Sequence, residues 1–121
     1  MALTPQARET FTRLFGVEPQ PHPTDPELFD ILQNGIFDEA FSTGVLTDVE
    51  RELISLVAIA AIGATTQLRP HVAGAIRAGS SRQKVAAALV QVMPYIGGPY
   101  ALSGLVLVAR YDENASTEAY R

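Results

Sequence analysis

LTDVERELISLVAIAAIGATTQLRPHVAGAIRAG, residues Leu46 to Gly79, decides the fold class of this chain. Thr47 and Glu50 stand at the spacing of a capping box, in which each side chain takes a backbone N–H that the start of a helix leaves unpaired. The RELISLVAIAAIGA that follows is apolar nearly all round after Glu52, and a helix apolar on every face belongs at the centre of a bundle. A further helix is expected from about Thr66 to Ala78. Gly79 is placed to take a left-handed cap after it, and Pro70 is tolerable only within its first turn.

The same signals recur outward from this stretch. Thr4-Pro5 caps and opens a first helix to about Phe15, closed by Gly16. Prolines 19, 21 and 23 then favour an extended arm holding an exposed His22. Asp25-Pro26 repeats the cap-then-proline start, and Leu28, Phe29, Ile31, Leu32, Ile36, Phe37 and Phe41 continue at near-helical spacing to a stop at Gly44. Downstream, Ser80 with Gln83 forms a second capping-box pattern for a helix to about Tyr95, with strain or a stop at Pro94. After GGP a sixth helix is expected from Tyr100 to Tyr111. Strand-like alternation is missing, so the expectation is an all-α bundle of about six helices joined by short loops.

The 121 residues make one domain, 1–121, of which 1–25 form the first helix and proline-rich arm and 112–121 a polar tail. Hydrophobic residues make up 47% and charged residues 18%, more apolar surface than a small monomer hides, so part of it is expected between subunits. The chain has no cysteine, which excludes disulfides, thiolate metal sites and thiol redox chemistry. With two histidines and no calcium-loop pattern, no metal is expected. The polar start MALTPQARETFTRLFG does not read as a signal peptide, so a cytoplasmic protein is expected. The uncharged run Val85–Ala109 is long enough to span a bilayer, but Pro94, Gly97, Gly98 and Pro99 interrupt it, so no membrane association is expected.

The net charge of −4 is unevenly spread. Residues 1–52 hold ten acids against three arginines, whereas Leu53 to Tyr111 hold no acid against Arg69, Arg77, Arg82, Lys84 and Arg110. A basic half suits a small anionic molecule, and it also fits a core whose cations are solvated helix ends. Five scattered cations under a negative total make a poor phosphate track, so nucleic acid is not expected.

Neither a glycine-rich phosphate loop nor a nucleophile elbow is present, leaving His71 and the carboxylates at the head of the third helix. A histidine exchanges protons near neutral pH, and a carboxylate within reach fixes its tautomer. Gln67 and His71, at i and i+4, share a helix face. Glu50 is accounted for by its cap; Glu52 is not. Residue physics leaves two readings of each: His71 as proton-transfer group or as buried imidazole bonded to a carbonyl, and Glu52 as its partner or as a solvated acid favoured by the helix dipole.

A family pattern appears on these residues. The opening stretch with VQVMPYIGGPYAL resembles the carboxymuconolactone decarboxylase family, within the superfamily that includes the AhpD-type alkylhydroperoxidases. The likeness covers about Pro26 to Arg110 through the R-E-L start, the Q-L-x-x-H segment, the following glycine and the Y-x-G-x-P turn. The peroxidase branch has a glutamate, a C-x-x-C pair and a histidine; here these positions hold Glu52, Ala64, Gln67 and His71, so thiol peroxidase chemistry is excluded. The cysteine-free pattern is similar to the decarboxylase-like branch. Departures are SSRQKVAAAL, where that branch has acidic residues, and Pro70 directly before His71.

The resemblance implies an AhpD-like fold assembled as a homo-oligomer, a trimer or hexamer. It implies a cofactor-free carboxy-lyase acting on 4-carboxymuconolactone or a similar carboxylated lactone, with His71 delivering the proton, Glu52 orienting it, and Arg69 and Gln67 binding the anionic substrate. Two rivals are an isomerase or cyclase on another enolisable lactone, motivated by the altered segment after Gly79, and a non-enzymatic oligomeric binding module.

Overall fold

The computed structural model describes residues 2–112. The expected polar tail therefore lies, apart from Asp112, outside the described residues. Six α-helices follow one another, α1 (Pro5–Phe15), α2 (Pro26–Asn34), α3 (Asp48–Ile62), α4 (Thr65–Arg77), α5 (Arg82–Ile96) and α6 (Gly98–Arg110), and no strand occurs among the described residues.

Local sequence accounts for most of the boundaries. Thr4 Oγ1 accepts the N–H of Ala7 at 3.1 Å to open α1, and Asp25 Oδ1 accepts that of Leu28 at 3.0 Å to open α2. The box at α3 is complete: Thr47 Oγ1 accepts from the N–H of Glu50 at 3.1 Å, and Glu50 Oε1 accepts from the N–H of Thr47 at 2.8 Å. Donation to the carboxylate by the Thr47 backbone N–H, and next by the Thr47 side chain, stabilises the ionised acid and holds the Glu50 carboxyl below its ordinary range.

The start of α5 differs from expectation. The cap is Ser81, whose Oγ accepts from the N–H of Lys84 at 3.1 Å, while Ser80 is buried with its hydroxyl unbonded. The reason lies in how α4 stops. Gly79 adopts φ +122°, its N–H reaches Ile76 O at 3.0 Å and the N–H of Ser80 reaches Ala75 O at 3.1 Å. Ser80 is thereby committed to closing the preceding helix and cannot cap the next.

Three further expectations are corrected. Pro70 is not in the first turn of α4, because that helix begins at Thr65; the bond it deletes would have gone to the carbonyl of exposed Thr66, which water can reach. Pro94 does not stop α5, which continues to Ile96 before Gly97. The helix expected to reach Phe41 is α-helical only to Asn34; it widens into a π-helical segment over Gly35–Ala40 and tightens to a 3₁₀ turn over Phe41–Thr43.

The main core lies where α3, α4, α5 and α6 converge, on Leu56, Ala60, Leu68, Val72, Ala75, Val85, Leu89 and Val108. A second cluster, Ala7, Leu14, Phe15 and Phe37, joins α1 to the π-helical segment, and α1 also packs on α4. The chain leaves much apolar surface outside these clusters. Helix α3, expected to be enclosed on every side, leaves Ile54 and Ile62 exposed, and on α2 the residues turned outward are Leu28, Ile31 and Leu32, followed by Ile36. One α2 face points inward through Gln33 and Asn34, with Asn34 bonded to the N–H of Thr4 and the carbonyl of Ala2. The aliphatic stripe of α2 is thus the side that the single chain does not cover.

Truncating Leu56 to Ala, fully buried in the main core, is expected to lower unfolding stability by about 2–5 kcal/mol in urea titrations. Because the folded pKa of Glu50 is depressed, its capping contribution is present above the ordinary carboxylate range and is lost as pH falls through the folded value. The stability gap between wild type and Glu50→Ala, followed by thermal unfolding, is therefore expected to be widest near neutral pH and to close in acid.

Candidate active site

Glu52 is just past the first turn of α3 and His71 is near the end of the second turn of α4, and the Gly63 turn folds the second helix back along the first. The two side chains meet. His71 Nδ1 lies 3.1 Å from Glu52 Oε2, although nineteen positions separate them in the chain. Glu52 is 2% exposed and the His71 side chain 19%. The reading of Glu52 as a solvated acid is thereby overturned, as is that of His71 as an imidazole bonded to a carbonyl through Nδ1.

A carboxylate out of water needs a donor, and His71 is the hydrogen-bond partner that the described residues offer Glu52. With Glu52 ionised, Nδ1 carries the proton of that bond. Nε2, the nitrogen on the far side of the ring, then holds a lone pair in the neutral imidazole and a second N–H in the imidazolium. No bond to Nε2 forms among the described residues, so it is available for proton exchange.

Two residues that the sequence reading left out shape this contact. The Phe15 ring, at the end of α1, meets the His71 ring edge-on, with centroids 5.4 Å apart and planes at 80°. Phe15 is itself braced edge-on by Phe11 at 4.9 Å and Phe37 at 5.6 Å. Gly74, one turn beyond His71, lets both Phe15 and Glu52 approach the α4 backbone: a Cβ there would lie 2.9 Å from Phe15 Cε1 and 3.1 Å from Glu52 Oε2. The available signal was the glycine itself, since a mid-helix glycine costs about 1 kcal/mol relative to alanine and so implies a packing reason.

The sequence-predicted binding residues stand differently. Gln67 is exposed one turn before His71 and shares its side of α4. Arg69 is also exposed, but two residues rotate it by about 200° from His71 around the helix. Neither bonds to Glu52 or His71. Arg82 is engaged elsewhere, donating to the carbonyls of Val108 and Tyr111 at the end of α6 and lying over the Tyr111 ring. Among the described residues, no three His, Asp or Glu side chains are grouped to hold a metal ion, and no helix is long and apolar enough to cross a membrane.

A match to the carboxymuconolactone decarboxylase family spans residues 26–110. The chain belongs to this family. The matched segment begins with α2 and ends with α6, so the carboxymuconolactone decarboxylase domain includes both members of the His–Glu pair, while α1, which supplies Phe15, precedes it. Comparison with curated proteins finds no match. The six-helix bundle and the family together fit the AhpD-like superfamily, with decarboxylase-like activity suggested at the level of the family.

Gly74→Ala tests the tightness of this packing. Alanine at an open mid-helix glycine gains about 1 kcal/mol, whereas overpacking costs about 1–3 kcal/mol. Urea unfolding is therefore expected to show a neutral or destabilised variant; a clear gain would show that Phe15 and Glu52 do not press on α4.

Proposed function

We propose that the chain is a cofactor-independent carboxy-lyase acting on 4-carboxymuconolactone or a closely similar carboxylated lactone. The observation that carries the proposal is the 3.1 Å contact between His71 Nδ1 and the buried Glu52 carboxylate, which leaves Nε2 to the substrate. Membership of the carboxymuconolactone decarboxylase family supports the reaction class.

In the proposed reaction the bond from the ring carbon to the carboxylate breaks and carbon dioxide leaves. The electron pair passes through the conjugated double bond into the lactone carbonyl, forming an enolate. Protonated His71 then gives its Nε2 proton to carbon, completing the enol-lactone, and is reprotonated from solvent. Glu52 acts by holding the ring at Nδ1 and offsetting the imidazolium charge; the edge of Phe15 restrains ring rotation and excludes water from one side. Gln67 is assigned as a hydrogen-bond donor on the His71 side of α4; Arg69, about 200° around that helix, does not share this side and is given no role in the step.

We further propose that the protein works as a homo-oligomer, in keeping with the trimer or hexamer that the resemblance implies. Its support is the number of exposed aliphatic side chains, Leu28, Ile31 and Leu32 on α2, Ile62 on α3, and Leu102 and Val106 on α6.

The test is an ultraviolet assay of 4-carboxymuconolactone consumption with carbon dioxide release. Wild type is expected to turn the lactone over, His71→Ala to lose about 10²-fold or more in kcat, and Glu52→Gln to lose kcat with little change in KM. Failure of folded wild type to consume the lactone would overturn the substrate assignment; turnover undiminished in His71→Ala would overturn the mechanism.

A further inference from the structure

Three arginines lie in the acidic part of the chain before Leu53, and two are neutralised: Arg8 by Glu18 at 3.3 Å, and Arg13 by Asp48 at 2.9 Å and Glu9 at 3.9 Å. Arg51 has no carboxylate within ion-pair distance among the described residues. It is nevertheless held in place. Nη2 donates to Thr43 Oγ1 at 2.9 Å, Cζ stands 5.1 Å from the centre of the Phe41 ring, and Nε is buried with no hydrogen-bond partner.

Arg51 forms one wall of a cleft of about 240 Å³ whose other walls include Ile36, Phe41, Leu46, Ile54 and Ser55. Ile36 comes from the π-helical segment, Leu46 from the loop before α3, and Ile54 from α3 itself, so three parts of the chain converge on one guanidinium. Ile36, Leu46 and Ile54 are 48%, 36% and 53% exposed, which leaves the cleft open from outside. Glu52, His71 and Phe15 do not line it.

We propose that this cleft binds a small organic monocarboxylate with a flat apolar body, the carboxylate meeting Arg51 and the body lying against Ile36, Leu46 and Ile54. A guanidinium presents parallel N–H donors that match a carboxylate, and charge-assisted bonds of this kind are stronger than neutral ones. Because Thr43 and Phe41 already fix Arg51, little side-chain freedom remains to be lost on binding. An apolar body seated against the aliphatic walls displaces water from them and so strengthens the charge contact. They also set the class of ligand: a second carboxylate on the body would be carried against aliphatic walls with no cation to meet it, so monoanions are favoured over dianions. The volume, that of roughly eight liquid waters at about 30 Å³ each, limits the ligand to about one ring.

Benzoate is the probe. Titrated into isotopically labelled wild type, it is expected to give saturable methyl NMR shifts at Ile36, Leu46 and Ile54, with the same affinity in His71→Ala. Binding is expected to weaken at least tenfold in Arg51→Gln and to be retained in part by Arg51→Lys. Benzyl alcohol, the uncharged counterpart, is expected to bind wild type at least tenfold more weakly than benzoate; this comparison needs no variant to fold. The proposal is overturned if benzoate produces no saturable shifts, if Arg51→Gln or benzyl alcohol binds as well, or if the shifts centre on His71. It is equally overturned if these methyls show contacts to a second copy of the chain and do not respond to benzoate. None of these readouts depends on lactone turnover, so failure here and failure of the proposed reaction are separately visible.

Discussion

The meeting of Glu52 with His71 is the constraint around which the inner face of the bundle is arranged. A carboxylate that is 2% exposed is tolerable only with a donor against it, and the donor sits on the neighbouring helix. That requirement brings α3 and α4 close together, needs a residue without a Cβ at position 74, and leaves room for one flat side chain, Phe15, to close the remaining side. Helix α1 is thereby tied to the site even though it precedes the family match.

Electrostatically the pair stands at a boundary. Glu52 is the last acid before Asp112, and every charged residue between them is a cation. His71 meets Glu52 through Nδ1, and Nε2 is left unbonded among the described residues. In the acidic first part of the chain Arg8 and Arg13 are paired with local carboxylates, and Arg51 stands apart from those pairs.

Where the sequence reading succeeded and failed follows from the range of the forces involved. Thr4, Asp25 and Thr47 open helices because a side-chain oxygen three residues from an N–H satisfies it wherever the helix lies. The same logic misplaced the start of α5, because Ser80 has a second claimant: the α4 terminus at Gly79, whose closure takes the N–H of Ser80. Pro70 was assigned to a first turn because a lost hydrogen bond is costly in a helix interior; an exposed carbonyl at Thr66 removes much of that cost. The apolar count correctly signalled a core, but it could not say which faces α2 and α3 would leave uncovered. Burial depends on what arrives from elsewhere in the chain.

By itself, then, the sequence determined the all-α class, all six helix starts to within two residues and the absence of thiol chemistry, while its likeness to the family singled out Glu52 and His71 for pairing. The first three rest on local hydrogen bonding, hydrophobic period and residue inventory, all of which are written along the chain. The tertiary structure alone decided that Nδ1 and Oε2 stand in contact, that Phe15 and Gly74 complete the site, that Arg69 lies around the helix from His71, and that Arg51 borders a separate cleft. Those are distances between residues far apart in sequence, set by how helices pack, and no local pattern encodes them.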